Sequence, residues 1–430
     1  IANNPEVLIA DEPTTALDVT IQLQILELLK NIQSRLGMSL VFISHDLSVV
    51  KKLSDYIYVM KNGKIVEFGT NDEIFNNPKN EYTRELVSYQ SNIKESKNFD
   101  SDSILKVEDL DVWYPIKKGL LKRTVDYVKA IKNVSFDLKI GESIGIVGES
   151  GSGKTSLILA ILNLIESKGK IKINKKDINK LNKKEMLNLR KEIQIVFQDP
   201  FSSLSPRMNI EDIISEGLLI HYPSISKKEK EEKIKNILDK VGLEYKNTIE
   251  KYPHEFSGGQ RQRIGIVRAL CLDPELIVCD EAVSALDVSI QAQVLQLLMK
   301  LKKDKNLTYL FITHDLSVTE YLCDRIAVMY LGRVVELCDS EDLYKNTLHP
   351  YSEALISAIP VADLDKKTKR IVLEGDVPSP VNPPKGCPFH PRCPKAKDIC
   401  KTEVPKLRKY TTNGNEHYAS CHLIDLPERN

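Results

Sequence analysis

The residue types most suited to chemistry stand together in the segment GESGSGKT at 148–155. An apolar run precedes it and an apolar, helix-like run follows it, which is the setting in which a glycine-rich loop binds phosphate. The glycines let backbone N–H groups converge on phosphate oxygens at a helix N-terminus. Lys154 would reach the β and γ phosphates of a nucleotide, and the Thr155 hydroxyl would be a ligand of Mg²⁺. The candidate nucleotide contacts are Gly148, Glu149, Ser150, Gly151, Ser152, Gly153, Lys154, Thr155 and Ser156.

A second apolar run, ELIVCDEAVSALD at 275–287, leads into two adjacent carboxylates. Asp280 would hold Mg²⁺, directly or through water, and Glu281 would polarise the attacking water as a general base. The alternative interpretation is an ordinary acidic turn after a buried strand. The same pair recurs as Asp11 and Glu12, which disfavours that alternative.

A third segment, FSGGQ at 256–260, stands directly before an apolar helix pattern. Backbone N–H groups and a serine hydroxyl at a helix N-terminus form an anion site. The candidate residues of this second phosphate site are Ser257, Gly258, Gly259 and Gln260.

In this order and context, the three segments closely resemble the ATP-binding cassette ATPases, for which FSGGQ is the signature sequence. The resemblance implies ATP as the ligand, clamped between the phosphate loop of one domain and the signature of a partner domain. It also implies roles for three further residues. Gln198 in IVFQDP would sense Mg²⁺ and water and contact a membrane subunit, and His314 in FITHD would contact the γ phosphate. Asp287 in SALD would couple the two sites.

An aromatic side chain is also expected to stack on the adenine ring. The candidate is Tyr114 in VWYPIKKG, and its neighbour Trp113 is the rival.

A long internal repeat organises the chain, because the segment from Asp11 matches the segment from Asp280 at a constant offset. The first copy carries Asp11, Glu12, Asp18 and His45 as counterparts of site residues, but no glycine-rich loop or signature precedes them in this sequence. Together with a start at Ile1 rather than Met, this suggests a truncated or excerpted product. We therefore expect low ATPase activity unless two copies of the chain pair through their second units.

The repeat and the composition divide the chain into four parts. Residues 1–87 are expected to be the C-terminal part of a first nucleotide-binding domain, and 88–103 a polar linker. Residues 104–340 form a complete second domain, and 341–430 a Pro- and Cys-rich extension. The expected fold is α/β: a phosphate-loop domain with a mostly parallel core, an antiparallel β patch around Tyr114, and a helical subdomain over about 201–270.

The extension resembles the C-terminal region of oligopeptide and dipeptide importer ATPases, which some nickel importers share. Fusion of two such ATPases, and the lack of a Cys-rich tail after the first copy, depart from the usual pattern. Four cysteines crowd the extension: Cys387, Cys393, Cys400 and Cys421. Some family members carry a [4Fe–4S] cluster here, and four thiolates suit one. Zinc, which favours more closely spaced ligands, and unligated or disulfide-forming thiols remain open. The other cysteines, in apolar surroundings, are expected to be core residues.

Composition limits the remaining function classes. Lys and Arg total 61 against 60 Asp and Glu, so charge gives no reason to expect a nucleic acid partner. The longest apolar runs are shorter than the roughly 20 residues needed to cross a bilayer.

By resemblance, the expected function is ATP hydrolysis that energises peptide import. The expected partners are transmembrane permease subunits, an extracytoplasmic peptide-binding protein and a second nucleotide-binding domain, at the cytoplasmic face of the membrane. The alternatives are a soluble tandem ATPase acting on ribosomes or DNA, a nickel importer ATPase, and a redox-sensing tail on an inactive fragment.

Overall fold

The computed structural model describes residues 5–13, 19–44, 47–61, 63–88, 99, 102–119, 123–199, 201–283, 286, 288–358 and 371–424. Three of the site candidates, Asp18, His45 and Asp287, lie outside these ranges.

In the described ranges, the first copy of the repeat has four strands and four helices. In chain order they are β1 (Val7–Asp11), α1 (Val19–Leu36), β2 (Ser39–Ile43), α2 (Leu47–Leu53), β3 (Tyr56–Lys61), β4 (Lys64–Thr70), α3 (Asn71–Asn76) and α4 (Glu81–Ser88). Strands β1 and β2 pair in parallel, and β3 and β4 pair antiparallel. Among the described residues, no strand joins β2 to β3.

The second copy contains the remaining elements up to residue 358. They are β5 (Ser103–Lys118), β6 (Arg123–Lys139), β7 (Ser143–Val147), α5 (Lys154–Ile161), β8 (Lys168–Ile173), β9 (Lys176–Asp177), α6 (Lys183–Glu192), β10 (Ile193–Val196), α7 (Ile210–His221), α8 (Lys227–Lys240), α9 (Tyr245–Thr248), α10 (Gly258–Leu270), β11 (Leu276–Asp280), α11 (Val288–Lys305), β12 (Thr308–Ile312), α12 (Leu316–Leu322), β13 (Arg325–Tyr330), β14 (Arg333–Asp339), α13 (Ser340–Lys345) and α14 (Pro350–Ala358).

The extension beyond residue 370 has little regular secondary structure. It contributes α15 (Asp398–Thr402), β15 (Arg408–Thr412) and β16 (Asn415–Ala419).

The two copies share the same element order. Each of the eight elements of the first copy begins 269 residues before its counterpart in the second, as Val7 of β1 does before Leu276 of β11. The final pair, α4 and α14, shows that the correspondence runs on past residue 340, where the sequence suggested a domain boundary.

One eight-stranded sheet forms the centre of the second copy, in the order β10-β11-β12-β7-β13-β14-β16-β15. The first five strands are parallel, and β14, β16 and β15 continue the sheet antiparallel. The expected α/β fold with a mostly parallel core is confirmed. The extension supplies β15 and β16, so part of it is built into the central sheet rather than standing apart.

A second, four-stranded antiparallel sheet of order β6-β5-β8-β9 contains Tyr114 and is the expected antiparallel patch. Alternate side chains of β11 enter two different cores, because neighbouring residues of a strand point to opposite faces. Leu276 and Val278 pack with the antiparallel sheet, whereas Ile277 and Cys279 pack with the helices.

The helices between residues 210 and 270 follow local capping signals. Ser226 caps α8, where its hydroxyl accepts the Glu229 N–H and the Glu229 carboxylate accepts the Ser226 N–H. Helices α7, α8 and α10 pack on one another through Ile213, Ile234 and Ile264. The helical subdomain expected over about 201–270 is therefore present as a group of packed helices.

All eight cysteines are free of disulfides. Cys271, Cys279, Cys323 and Cys338 are buried in the core that includes the helices, as the sequence suggested.

We expect equivalent substitutions in the two copies to change the free energy of unfolding by different amounts. Ile312 on β12 is 1% exposed and packs in the core that includes the antiparallel sheet and α5, whereas Ile43, its counterpart on β2, is 48% exposed. Ile312→Ala should lower the free energy of unfolding by about 2–5 kcal/mol. Ile43→Ala should change it by less than about 0.5 kcal/mol. Urea unfolding followed by far-ultraviolet circular dichroism measures both units, and the fluorescence of Trp113, the single tryptophan, identifies the transition of the second unit. Equal losses in the two variants would show that the exposed face of β2 is covered in solution.

Candidate functional site

The phosphate-binding loop connects β7 to α5 at the carboxyl edge of the parallel strands. Gly148 follows β7 directly, with φ of 152°, and a Cβ at this position would lie 2.2 Å from the carbonyl oxygen of Met329. Any other residue would push the loop off β13. The sequence therefore needs glycine here for packing as well as for access to phosphate.

Lys154 is buried at the start of α5. Its Nζ donates to the carbonyl oxygens of Gly148 at 2.6 Å and Glu149 at 3.1 Å. The ammonium group thus lies inside the loop, where it would meet β and γ phosphates. Thr155, next in the helix, is exposed, so its hydroxyl is accessible to a metal ion.

Glu149 differs from the other loop residues. Its side chain is buried and accepts two hydrogen bonds from Arg392 of the extension, and its N–H donates to the Tyr351 hydroxyl at 2.9 Å. Both its N–H and its carboxylate therefore have protein partners, through which the residue supports the loop. The expectation that Glu149 contacts nucleotide stays a prediction.

Three candidate catalytic residues meet at the end of β11. Gln198 Nε2 donates to Glu281 Oε2 at 2.6 Å, and His314 Nδ1 lies 3.3 Å from Glu281 Oε1. Glu281 has a φ of 45°, in the left-handed region, and its N–H donates to the Ile312 carbonyl at 2.8 Å. Strained backbone of this kind is common at functional sites. The arrangement fixes one carboxylate between an amide and an imidazole, as a general base requires.

The two adjacent carboxyls differ in acidity. Burial raises the pKa of Asp280 to about 6, with a further increase from the Glu281 charge and a partial offset from Lys154. For Glu281, burial raises the pKa, but the His314 hydrogen bond and the charges of His314 and Lys154, with Gln198, outweigh it and lower the net value. The hydrogen bond to Glu281 in turn raises the pKa of His314. Glu281 is therefore ionised at neutral pH, while Asp280 favours a nearby cation.

The aromatic candidates lie on opposite faces of β5. The Tyr114 hydroxyl donates to Ser156 Oγ at 3.2 Å, which places its ring beside the phosphate-loop helix. Trp113 is exposed on the other face, with the ammonium groups of Lys129 and Lys168 each 5.2 Å from its ring centroid. Of the two, Tyr114 lies nearer the phosphate loop.

The signature segment forms the N-terminus of α10. Ser257 is the capping residue: its hydroxyl accepts the Gln260 N–H at 3.4 Å, and its own N–H donates to Gln260 Oε1 at 3.1 Å. A Cβ on Gly259 would lie 2.2 Å from Ile290 Cγ2, so glycine is required for α10 to approach α11. Ser257 and Gln260 are exposed, so this helix terminus is available to a partner at the surface.

In the first copy, Asp11 and Glu12 also end a strand. Glu12 has a φ of 44°, and its N–H donates to the Ile43 carbonyl at 2.9 Å, which reproduces the backbone geometry of Glu281. No phosphate loop accompanies this pair among the described residues.

The four cysteines of the extension lie in one neighbourhood. Cys387 N–H donates to the Cys400 carbonyl at 2.8 Å. Burial raises the pKa of Cys387 to about 11, with smaller increases from Cys400, Cys421 and Cys393. No three of the four sulfur atoms lie within 4.8 Å of one another.

Sequence reasoning missed a second buried polar group. Glu336, Cys338 and His417 bring their ligand atoms within 4.8 Å of one another. The Glu336 carboxylate already accepts the N–H groups of Leu348 and His349 and lies 2.7 Å from His417 Nε2. Both carboxylate oxygens of Glu336 are thus hydrogen-bonded, and the contact with His417 joins β14 to β16.

Arg392 and Tyr351 were also missed as supports of the loop. Tyr351 matches Tyr82 in the repeat, which was the one available signal, whereas nothing local to CPFHPRCP marks Arg392.

None of the helices within the described ranges combines the length and apolarity required to span a membrane.

Comparison with known protein families gives two matches. The family model described as "ABC transporter" matches residues 131–284. The model described as "Oligopeptide/dipeptide transporter, C-terminal region" matches residues 66–107 and 335–400. The second match covers the end of each copy of the repeat.

Three similar proteins have related names. The oligopeptide transport ATP-binding protein AppF of Bacillus subtilis is 49% identical over 326 residues, which cover 75% of this chain and 98% of AppF. The peptidoglycan transport ATP-binding protein YejF of Agrobacterium fabrum is 47% identical over 360 residues, covering 83% of this chain and 66% of YejF. The glutathione import ATP-binding protein GsiA of Escherichia coli K12 is 42% identical over 407 residues, which cover 88% of this chain and 65% of GsiA. The chain thus spans about two thirds of the length of YejF and of GsiA.

We expect Asp280→Asn and Glu281→Gln to shift the melting temperature in opposite directions at neutral pH, in protein free of nucleotide and metal. The pKa of Asp280 is higher in the folded than in the unfolded chain, so its ionisation favours unfolding and an amide removes that cost. The pKa of Glu281 is lowered, so its ionisation favours the folded state and an amide loses that contribution.

The pH dependence supplies the control. The stabilising effect of Asp280→Asn should be present above about pH 6 and disappear as the pH falls toward 3.8, because wild-type Asp280 then becomes neutral in the folded state. Differential scanning calorimetry across this range measures both variants. Shifts of the same sign would contradict the assignment of the two carboxyls.

Proposed function

The chain belongs to the ABC transporter family of ATP-binding proteins, and from this premise we propose that it hydrolyses ATP to energise import of peptides through membrane permease subunits. The observation that carries the ATPase activity is the meeting of Gln198 and His314 on the Glu281 carboxylate, beside the Lys154 loop. Peptides as the class of solute are supported by the match of residues 335–400 to the oligopeptide/dipeptide transporter region and by the name of AppF.

The chemistry assigned to each residue follows from its position. The backbone N–H groups of the loop and the Lys154 ammonium would hold the phosphates, and Tyr114 would stack on adenine. Thr155 and Asp280 would hold Mg²⁺, which neutralises developing phosphate charge when bound. Glu281, ionised and held by His314 and Gln198, would accept a proton from the attacking water.

A complete site needs a second unit, because the loop and the signature of one unit would each hold a different nucleotide. The exposed Ser257 and Gln260 at the N-terminus of α10 support this arrangement. Each ATP would lie between the Lys154 loop of one second unit and the Ser257 segment of another. Closure on ATP and opening after hydrolysis would then move the permease.

The permease would dock on the segment around Gln198. Phe197 and Phe201 are exposed there, and the Arg261 guanidinium lies 3.9 Å from the Phe201 ring centroid. Exposed aromatic side chains beside a catalytic glutamine suit a protein contact better than bulk water. The chain would therefore lie at the cytoplasmic face of the membrane, and an extracytoplasmic binding protein would deliver the peptide.

We also propose that Cys387, Cys393, Cys400 and Cys421 hold a [4Fe–4S] cluster. Their four thiols share one neighbourhood, and four thiolates are the ligand set of such a cluster. The cluster would hold the non-helical part of the extension together.

A mixing experiment tests the shared site. Lys154→Ala and Gly258→Asp should each abolish ATP turnover, the first by losing the phosphate contact and the second by placing a carboxylate against the γ phosphate. A Cβ at Gly258 meets only Leu286, at 3.9 Å, so the second variant should fold. A mixed pair contains one intact site, and equal mixing gives such pairs in about half of the dimers, so turnover should return to roughly a quarter of the wild-type rate.

The measurement is phosphate release in vesicles that contain co-expressed permease, with and without peptide. Peptide should stimulate the wild-type chain and the mixture alike. Inactivity of the mixture would argue against a site shared between second units, and turnover insensitive to peptide would argue against the import function.

The cluster has its own test. Chain purified without oxygen should contain about four iron and four sulfide per molecule. Cys400→Ser should lose most of that iron, whereas Cys323→Ala, at a buried core cysteine outside the extension, should retain it. Iron-free protein, or stoichiometric zinc, would show the proposal to be wrong.

A further inference from the structure

A buried ion pair connects the phosphate loop to the C-terminal extension. Arg392 Nη1 and Nη2 donate to the two carboxylate oxygens of Glu149 at 2.6 and 3.1 Å. Both side chains are 5% exposed. A paired, two-bond contact of guanidinium and carboxylate is geometrically specific, and burial protects it from solvent screening.

The two partners come from distant parts of the chain. Glu149 directly follows Gly148 in the loop, and Arg392 lies in the short turn between Cys387 and Cys393. Burial lowers the pKa of Arg392, but the Glu149 hydrogen bonds and charge, together with Tyr330, raise the net value. The guanidinium therefore stays charged and neutralises the one carboxylate within the loop.

Aromatic packing holds the arginine segment against the loop. Phe389 lies 5.3 Å from the ring centroids of both Tyr330 and Tyr351, which are themselves 4.7 Å apart. The Tyr351 hydroxyl accepts the N–H of Glu149. Residue 149 is thus held at its backbone by Tyr351 and at its side chain by Arg392, and both supports rest on Phe389.

This support bears on nucleotide binding in two ways. The carbonyls of Gly148 and Glu149 accept from Lys154, so the position of residue 149 affects the position of the catalytic ammonium. A Glu149 carboxylate without its partner would also place an uncompensated negative charge behind a loop that must bind phosphates. Preorganised donors bind phosphate more strongly than donors that must first reorganise.

We propose that Arg392 is a positioning residue for nucleotide binding: through Glu149 it holds the phosphate loop in its binding conformation and cancels the loop's own charge. The C-terminal extension is then part of the nucleotide site, although it does not touch the nucleotide. This inference rests on the proposed binding of ATP at Lys154.

A matched control, a second buried ion pair, lies at the end of β7 that is opposite the phosphate loop. Glu142, which precedes β7, is buried and pairs with Arg325, with Nη2 to Oε2 at 3.1 Å. Six residues of nearly extended chain lie between Glu142 and Glu149, so the two carboxylates are roughly 20 Å apart along the chain. Loss of this second pair removes a comparable buried contact but leaves the loop alone.

The experiment compares Arg392→Met and Arg325→Met in the full chain by titration with a fluorescent ATP analogue and by melting temperature without nucleotide. Both variants should melt at a lower temperature. Arg392→Met should bind the analogue about tenfold or more weakly, because the unpaired Glu149 carboxylate would repel the phosphates through a weakly screening interior. Arg325→Met should bind within about twofold of wild type.

Milder variants keep the test decisive if Arg392→Met does not fold. Arg392→Lys keeps the charge but loses the two-pronged contact, so its affinity should lie between those of wild type and Arg392→Met. Pairing Glu149→Gln with Arg392→Gln removes both charges. If the affinity for the analogue stays low in this double variant, Arg392 acts by positioning the loop. If the affinity recovers, Arg392 acts by cancelling the Glu149 charge.

The outcomes separate the inference from the premise. If wild type and Arg325→Met bind ATP but Arg392→Met and Arg392→Lys bind equally well, Arg392 is structural only and the inference is overturned. Affinity lost in proportion to melting temperature in both arginine variants overturns it as well. If wild type itself fails to bind ATP, the proposed function falls first.

Discussion

The loop between β7 and α5 is the constraint on which the rest of the structure depends. Its first glycine lies so close to the Met329 carbonyl that no side chain fits, so β13 must run beside β7 for the loop to take its shape. Strand β12 on the other side of β7 ends next to His314, and β11 beyond it ends in Asp280 and Glu281. Parallel pairing of these strands brings the phosphate loop, the acidic pair and the histidine to one edge.

The acidic pair shows how strongly the local chain controls its geometry. Glu12 and Glu281 have nearly the same left-handed φ and the same backbone hydrogen bond to the next parallel strand. The first copy reproduces this turn without a phosphate loop beside it among the described residues. The strand end therefore sets the direction of the glutamate, while the acidity of Glu281 depends on His314, Gln198 and Lys154, which come from other parts of the chain.

The extension enters the fold at two places. Through β16 it continues the central sheet, where His417 reaches the buried Glu336 carboxylate. Through Arg392 it reaches the phosphate loop. Glu67, the counterpart of Glu336, accepts the equivalent pair of backbone N–H groups, from Lys79 and Asn80. In both copies this glutamate therefore holds the loop that precedes the final helix, α4 or α14. The contact with His417 is added by the extension.

The sequence by itself determined the features that depend on short stretches of chain. The glycine spacing at 148–155 and the acidic strand end are local, and the structure has the expected strand-to-helix turn and the expected strand end there. The repeat needs only a comparison of the sequence with itself. Only the tertiary structure decided which side chains meet across long separations. Glu149 and Arg392 are 243 residues apart, and no periodicity or spacing connects them, because the contact exists only once β13, α14 and the cysteine-bearing turn have packed behind the loop. For the same reason the sequence placed Glu149 among the phosphate contacts, whereas the fold turns its carboxylate toward a buried arginine that it needs for charge balance.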